Sequence, residues 1–306
     1  MSKTIKDQIN KLKPSATLAI NEKSNKLIKS GKKVFKFGFG QSPFPIPNSI
    51  ILALKNSADK NTYLQMQGLE KLRLAIADHL NKNNNNKFES NDIVIGPGTK
   101  ELMFLTQIAF NGDILLPAPS WVSYEPQALI AKNKVHWIQT SSSKNWFPTG
   151  KEIEDKIKTI KTKNIILFIN SPNNPSGTVC ENLKEIALIA KKYKLVILSD
   201  EIYSRLTFNK KYVSISNFYP EGTIVSSGLS KWCGAGGWRL GYFIIPYSLD
   251  NIKNSMKVLA SETFSSVSSP IQFAAISAFN NNHSDYIIKS KKILKGVGDY
   301  VYNNLN

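Results

Sequence analysis

Residues 226–242 read Ser-Ser-Gly-Leu-Ser-Lys-Trp-Cys-Gly-Ala-Gly-Gly-Trp-Arg-Leu-Gly-Tyr. They set Lys231 in a loop of small residues between two apolar runs, with Arg239 eight residues further on. Gly228, Gly234, Gly236 and Gly237 surround that lysine, and glycine lets backbone approach a bound group closely. A lysine amine that is desolvated, or that lies near another cation, forms Schiff bases with carbonyl compounds. Arg239 offers both that cation and a clamp for a phosphate. The alternative reading is a loop lysine beside a structural glycine cluster, and the rest of the chain must separate the two.

Four more segments place chemistry-bearing residues just beyond apolar runs. Gly-Pro-Gly-Thr-Lys-Glu follows Asp92–Ile95, so Gly98, Thr99 and Lys100 open an amphipathic helix whose free N–H groups and dipole favour an anion. Glycine before a helix is also common without any ligand. Pro-Ala-Pro-Ser-Trp-Val-Ser-Tyr follows Asp113–Leu116; there Trp121 either stacks on another flat ring or packs in the core. Asn-Ser-Pro-Asn-Asn-Pro-Ser-Gly-Thr follows Asn164–Ile169, and its two prolines stiffen the loop around Asn174. Asp200 closes a nearly continuous apolar run from Leu195, where an ionised carboxylate must be met by a cation or a strong donor. Tyr203 lies close enough behind it to reach a neighbouring ring.

These residues need a scaffold, and the apolar pattern supplies one. Short apolar runs at Val34–Phe39, Asp92–Ile95, Asp113–Leu116, Lys134–Gln139, Asn164–Ile169, Leu195–Ser199, Thr223–Ser226 and Leu240–Ile245 alternate with helical patterns. In such an α/β chain, ligands bind beyond the carboxyl ends of the strands. Leu69, Leu72, Ile76 and Leu80 share a helix face, as do Leu183, Ile186, Ala187 and Ala190, the latter preceded by Thr178 and Glu181 in a capping-box arrangement. Asn81–Lys87 reads as a polar surface loop. From Ser284 to Asn306, Ile287, Leu294, Val297, Val301 and Leu305 repeat as one helix face with no Gly or Pro stop, so further chain is expected after it.

Composition excludes several classes. An apolar share of 42% with 20% charged residues fits a folded globular protein with a large core. The net charge of +18 comes from lysines scattered along the chain, with only Arg73, Arg205 and Arg239 as arginines. That is a compositional bias, and nucleic-acid binding is not expected. Cys180 and Cys233 give neither a disulfide framework nor a metal-spaced cluster, so no metal is expected and a reducing compartment is. The charged start lacks the apolar stretch of a signal peptide, and no run is long enough for a membrane span; the expected location is the cytoplasm.

Taken in order, Trp121, Asn174, Asp200, Tyr203, Lys231 and Arg239 resemble the class I/II pyridoxal-phosphate-dependent aminotransferases of the aspartate aminotransferase fold. The resemblance begins at Lys-Pro-Ser-Ala-Thr-Leu-Ala-Ile near the N-terminus. It continues through Gly-Gln-Ser-Pro-Phe-Pro-Ile-Pro from Gly40 and Tyr-Leu-Gln-Met-Gln-Gly-Leu-Glu-Lys-Leu-Arg from Tyr63, and covers essentially the whole chain. It implies an α/β three-layer fold: a mostly parallel mixed sheet with helices on both faces, plus an incomplete small α+β domain. The implied divisions are an N-terminal arm and part of the small domain at 1–40, a cofactor-binding large domain at 41–246, and long helices at 247–306 leading into a shortened small domain.

The resemblance further implies that Lys231 binds pyridoxal phosphate as a Schiff base, that Asp200 pairs with the pyridine nitrogen, and that Tyr203 and Asn174 contact the ring hydroxyl. Trp121 would stack on the ring, while Gly98, Thr99, Lys100, Ser230 and Arg239 hold the phosphate. Gly40 and Asn174 would lie on the substrate side. A tyrosine matching Tyr63 reaches the phosphate from a second subunit, which implies a homodimer. The implied reaction is transamination between an amino acid and a 2-oxo acid. Two departures stand out: Gly228 replaces a serine common in the family, and no arginine after Arg239 is available to grip the substrate α-carboxylate. A C-terminally shortened enzyme lacking that clamp is therefore expected. A remnant that binds cofactor without turnover, and a lyase or decarboxylase of the same fold, remain as alternative readings.

Overall fold

The computed structural model describes residues 4–10, 12–38, 40–82, 87–208 and 211–305. Among them a seven-stranded sheet is built from β1 (Ile93–Gly96), β2 (Asp113–Ala118), β3 (Val135–Gln139), β4 (Ile165–Asn170), β5 (Val196–Asp200), β6 (Thr223–Gly228) and β7 (Gly241–Ile244), ordered β1-β7-β6-β5-β4-β2-β3. Only β7 runs against its neighbours. The expected mostly parallel mixed sheet is what forms. The helices are α1 (Asp7–Asn10), α2 (Ala16–Lys29), α3 (Asn48–Lys55), α4 (Glu70–Asn81), α5 (Thr99–Ala109), α6 (Tyr124–Ile130), α7 (Gly150–Lys158), α8 (Leu183–Lys192), α9 (Asp250–Ser261), α10 (Ser269–Asn280) and α11 (Ser284–Asn304).

Strand alternation sorts side chains onto two faces. In β4, Ile165, Leu167 and Ile169 join one cluster with α7 and α8, while Ile166 and Phe168 join another with α5, α6 and α9. A further cluster beside the first packs α4 and α10 onto Ile93, Ile95, Tyr242 and Ile244. Both faces are covered, so the central strands are buried throughout and read as continuous apolar runs.

Two sequence expectations need correction, and a third lies mostly outside the described residues. Val34–Gly38 forms no strand: Phe35 and Phe37 are 71% and 91% exposed, and without a neighbouring strand the apolar pattern has no ladder to join; Phe39 lies outside the described residues. The capping box belongs to α7, not α8. Thr149 Oγ1 accepts the Glu152 amide (3.2 Å) and the Glu152 carboxylate accepts the Thr149 amide (2.8 Å). At α8 the cap position is Asn182, and the Thr178 hydroxyl donates instead to the Asn145 carbonyl, because the turn after Pro175 carries it back across the loop. The polar run beginning at Asn81 ends α4, and residues 83–86 lie outside the described residues. No helix among the described residues is long and apolar enough to cross a membrane.

Backbones approach closely where β6 and β7 meet the start of α5. Gly228 pairs with Gly241, and a Cβ on Gly228 would lie 2.9 Å from Gly241 Cα and from the Leu240 carbonyl. A Cβ on Gly241 would lie 2.4 Å from the Thr99 amide nitrogen. Gly241→Ala must push the first turn of α5 off the sheet, and urea unfolding should show a loss of about 1–3 kcal/mol.

Candidate active site

Strands β1, β2, β4, β5 and β6 end on one edge of the sheet, and β7 begins there. Asp200 is the last residue of β5 and only 5% exposed. Its backbone carbonyl accepts the Ser171 amide (3.2 Å) and Asn170 Nδ2 (3.0 Å), which fixes the strand end against β4. On its side chain, Oδ2 accepts the Tyr124 phenol at 2.7 Å; the Ile202 amide and the Ser226 hydroxyl approach Oδ1 only to 3.4 Å. Burial pushes the carboxyl up to about 6, and these donors together with the Lys231 charge pull against that rise.

Lys231 reaches into the same space from the loop after β6. Its Nζ donates to the Gly40 carbonyl at 2.6 Å and lies 5.5 Å over the Tyr203 ring. Burial lowers its pKa; Asp200 opposes that and Arg239 adds to it. The Tyr203 phenol is hydrogen-bonded by the Asn174 side chain, and burial, then Asp200, pushes it up to about 12. Asn174 is itself held through its amide by Asn170 Oδ1 at 2.7 Å. Asp200, Tyr203, Asn174, Lys231 and Gly40 are thus one connected group.

The second half of the site is cationic. Gly98 caps α5 at φ +92°, a conformation that suits glycine, and the first amides of that helix have no intrahelical acceptor. Arg239 lies directly against it: Nη1 donates to the Gly236 carbonyl (2.9 Å) and Nη2 to the Pro97 carbonyl (3.3 Å). A Cβ on Gly98 would sit 2.2 Å from that Nη2. Trp121 meets Tyr124 edge-on, ring centroids 5.4 Å apart, with Lys100 Nζ 5.6 Å from its ring. Ser230 stands half-buried beside Lys231.

The donor set tests what fits here. Asp200 has no ion pair among the described residues and takes its one close hydrogen bond from a neutral phenol, so a flat group carrying a cationic N–H suits it. Helix-start amides beside an arginine suit a phosphate. An acidic pole and a basic pole with an amine nearby match a phosphorylated, nitrogen-containing aromatic carbonyl compound. Two other surface clefts, one around Asn111, Asp113 and Lys132 and one around Asp92, Thr223 and Lys253, open at the opposite edge of the sheet, away from Lys231.

Tyr63 is the predicted residue that does not join this group; it is 87% exposed. Arg73 serves the scaffold, donating to the Gly68 (3.1 Å) and Ser90 (2.8 Å) carbonyls. Sequence reasoning missed Tyr124, although it lies one helical turn beyond Trp121. It also missed Asn170, the strand-end residue that orients Asn174. Glu201 was passed over as well. That buried carboxyl is bonded by Ser199 (2.8 Å), Ser214 (2.5 Å) and the Tyr212 side chain, and burial pushes it up to about 7.

Comparison with known proteins places this geometry. Residues 32–306 match the family model described as aminotransferase class I and II. The chain is 33% identical to an aspartate aminotransferase of Bacillus sp. (strain YM-2), over all of this chain and 79% of that protein. It is 32% identical to the aspartate aminotransferase of Bacillus subtilis (strain 168), over 89% of this chain and 71% of that one. Among solved structures, Thermus thermophilus aspartate aminotransferase with maleate superimposes with a TM-score of 0.92 at 25% identity, covering 99% of this chain and 80% of that one. An alanine aminotransferase from Pyrococcus furiosus gives 0.89 at 28% identity, covering 98% and 78%.

Asp200 and Glu201 both titrate higher in the folded chain than when unfolded. The folded protein therefore keeps protons that the unfolded chain has released between about pH 4 and 7, and stability falls as pH rises through that window. Chemical unfolding of the cofactor-free protein across this range should show the decline. Glu201→Gln, which stays neutral throughout, should flatten it by about 1–3 kcal/mol, and an unchanged slope would contradict the assignment.

Proposed function

The chain belongs to the class I and II aminotransferase family, whose members use pyridoxal phosphate, and on that premise we propose that aspartate is its amino donor and a 2-oxo acid its acceptor. Bound cofactor supplies an electron sink for the bonds at the amino acid's Cα. Residues of this chain would hold and orient that group, although no arginine after Arg239 is present to grip the substrate α-carboxylate. The observation that carries the reading is the connected group of Lys231, Tyr203, Asn174 and Asp200 at one sheet edge, with Arg239 and the start of α5 beside it.

In this reading Lys231 Nζ would hold the cofactor through its carbonyl carbon, in a condensation that releases water. Asp200 keeps a proton on the ring nitrogen, and Tyr124 holds the carboxylate in place through its 2.7 Å bond. Tyr203 and Asn174 orient the ring through its hydroxyl, and Trp121 covers one face. The amides from Gly98 to Lys100, Ser230 and Arg239 retain the phosphate. Burial favours the neutral form of the Lys231 amine, so a free Nζ would be able to take up the proton lost from the substrate Cα and hold it within the site. Gly40, whose carbonyl already meets Nζ at 2.6 Å, stands on the substrate side with Asn174.

Support for a dicarboxylate comes from the Bacillus relatives, named as aspartate aminotransferases, and from the Thermus structure, which holds maleate. Support for a homodimer comes from Tyr63, which is 87% exposed and, among the described residues, meets nothing of the site in its own chain.

With the pyridoxal-phosphate-loaded chain, 2-oxoglutarate should be aminated faster by aspartate than by alanine. Lys231→Ala should cut that rate at least ~10²-fold and remove the borohydride-fixed cofactor mass from the protein. Preference for alanine would contradict the donor assignment, and a covalent cofactor retained by Lys231→Ala would contradict the role of the lysine. Sedimentation should report a dimer in which Tyr63→Phe weakens cofactor retention; equal retention by a monomer would contradict the shared site.

A further inference from the structure

Segments 203–205 and 231–232 meet twice, once on each side of the backbone. On the site side, Lys231 Nζ lies 5.5 Å from the centre of the Tyr203 ring. On the core side, the Arg205 guanidinium carbon lies 3.8 Å from the centre of the Trp232 ring. Tyr203 caps the 3-10 turn Ser204–Leu206 that carries Arg205, and Trp232 directly follows Lys231. Movement at the second contact is therefore passed to the first through one or two residues.

Arg205 is an unusual half-buried residue. It forms no ion pair with a carboxylate among the described residues, and its Nη1 is buried without a hydrogen-bond partner. Burial lowers its pKa, and the ionisable Tyr242 phenol and Cys233 thiol nearby oppose this. The indole face is what meets the cation, and a planar, weakly hydrated guanidinium suits that stack far better than an ammonium. Trp232 is 3% exposed, and its ring also neighbours His283 at the head of α11, 5.8 Å between centroids.

The loop needs such an anchor. The Leu229 amide donates to Leu240 (3.3 Å) and the Ala235 amide to Leu229 (3.2 Å), which ties the ends of the turn. Between them, Trp232 is the large side chain sunk into the core, and Gly234, Gly236 and Gly237 follow it with no bulk of their own. We propose that Arg205 is a positioning residue for Lys231: by stacking on Trp232 it fixes the Lys231 turn against the Tyr203 segment, and so sets where the amine stands over Tyr203 and beside Asp200. This inference rests on Lys231 being the cofactor amine.

The test uses Arg205→Met, which keeps an apolar stem, Arg205→Lys, which keeps the charge, and Trp232→Phe and Trp232→Leu, with and without a flat ring. Each cofactor-free protein is mixed with pyridoxal phosphate, and loading is followed by the visible band and by borohydride-fixed mass on Lys231. The pH midpoint of that band is read as well; Asp200, Tyr203 and Arg239 are the titratable or charged groups facing Lys231, and all are left intact. Arg205→Met, Arg205→Lys and Trp232→Leu should each load about ten-fold more slowly and shift the midpoint. Trp232→Phe should stay near wild type, and Arg205→Met with Trp232→Leu should be no worse than either alone.

Wild-type loading and midpoint in Arg205→Met, with only the melting temperature lowered, would reduce Arg205 to core filler and overturn the proposal. If Arg205→Met does not fold, equal behaviour of Trp232→Phe and Trp232→Leu overturns it just as well. Covalent cofactor persisting in Lys231→Ala would instead overturn the reading of the lysine itself, so the two failures are distinguishable.

Discussion

Asp200 sits at the carboxyl end of a central strand with covered sheet faces around it, and a carboxylate there costs free energy unless something meets its charge. Tyr124 supplies one strong hydrogen bond and Lys231 a partial compensation through space. The remaining demand is for a cation at the open side. Much of the architecture follows from it: β5 must be central so that the carboxylate is desolvated, and its end must be locked by Asn170 and Ser171 so that the carboxylate does not turn away.

A second constraint, close approach, organises the opposite pole. Gly98, Gly228 and Gly241 converge where β6, β7 and the start of α5 touch, and each is glycine because a Cβ would collide with backbone or with Arg239. Backbone amides and guanidinium can then serve one anion from two directions. Lys231 lies between the two poles, close enough to Asp200 and Arg239 to feel both.

Where signals were local, the sequence was legible. Strands β1 to β7 follow from apolar runs, and the residues immediately beyond them, such as Asp200 and Gly98, follow from the rule that open α/β sheets bind ligands at their carboxyl ends. Tyr124 was not legible as a partner of Asp200, because its 2.7 Å bond joins residues 76 positions apart and nothing in the local pattern distinguishes a donor from a core aromatic. Arg205 was hidden for the same reason: its partner is an indole on another loop. Val34–Gly38 failed in the opposite sense, since a β-prone run makes a strand only where a neighbour offers hydrogen bonds.

We infer that the buried Asp200 carboxylate pairs with the cationic ring nitrogen of bound pyridoxal phosphate. Carbon-13 NMR titration of the aspartate side-chain carboxyls, with Asp200 assigned by Asp200→Asn, measures this directly in cofactor-free and loaded protein. The account predicts a midpoint near 6 without cofactor that falls well below the usual carboxylate range once the cofactor is bound. A midpoint that stays where it is on loading would contradict it.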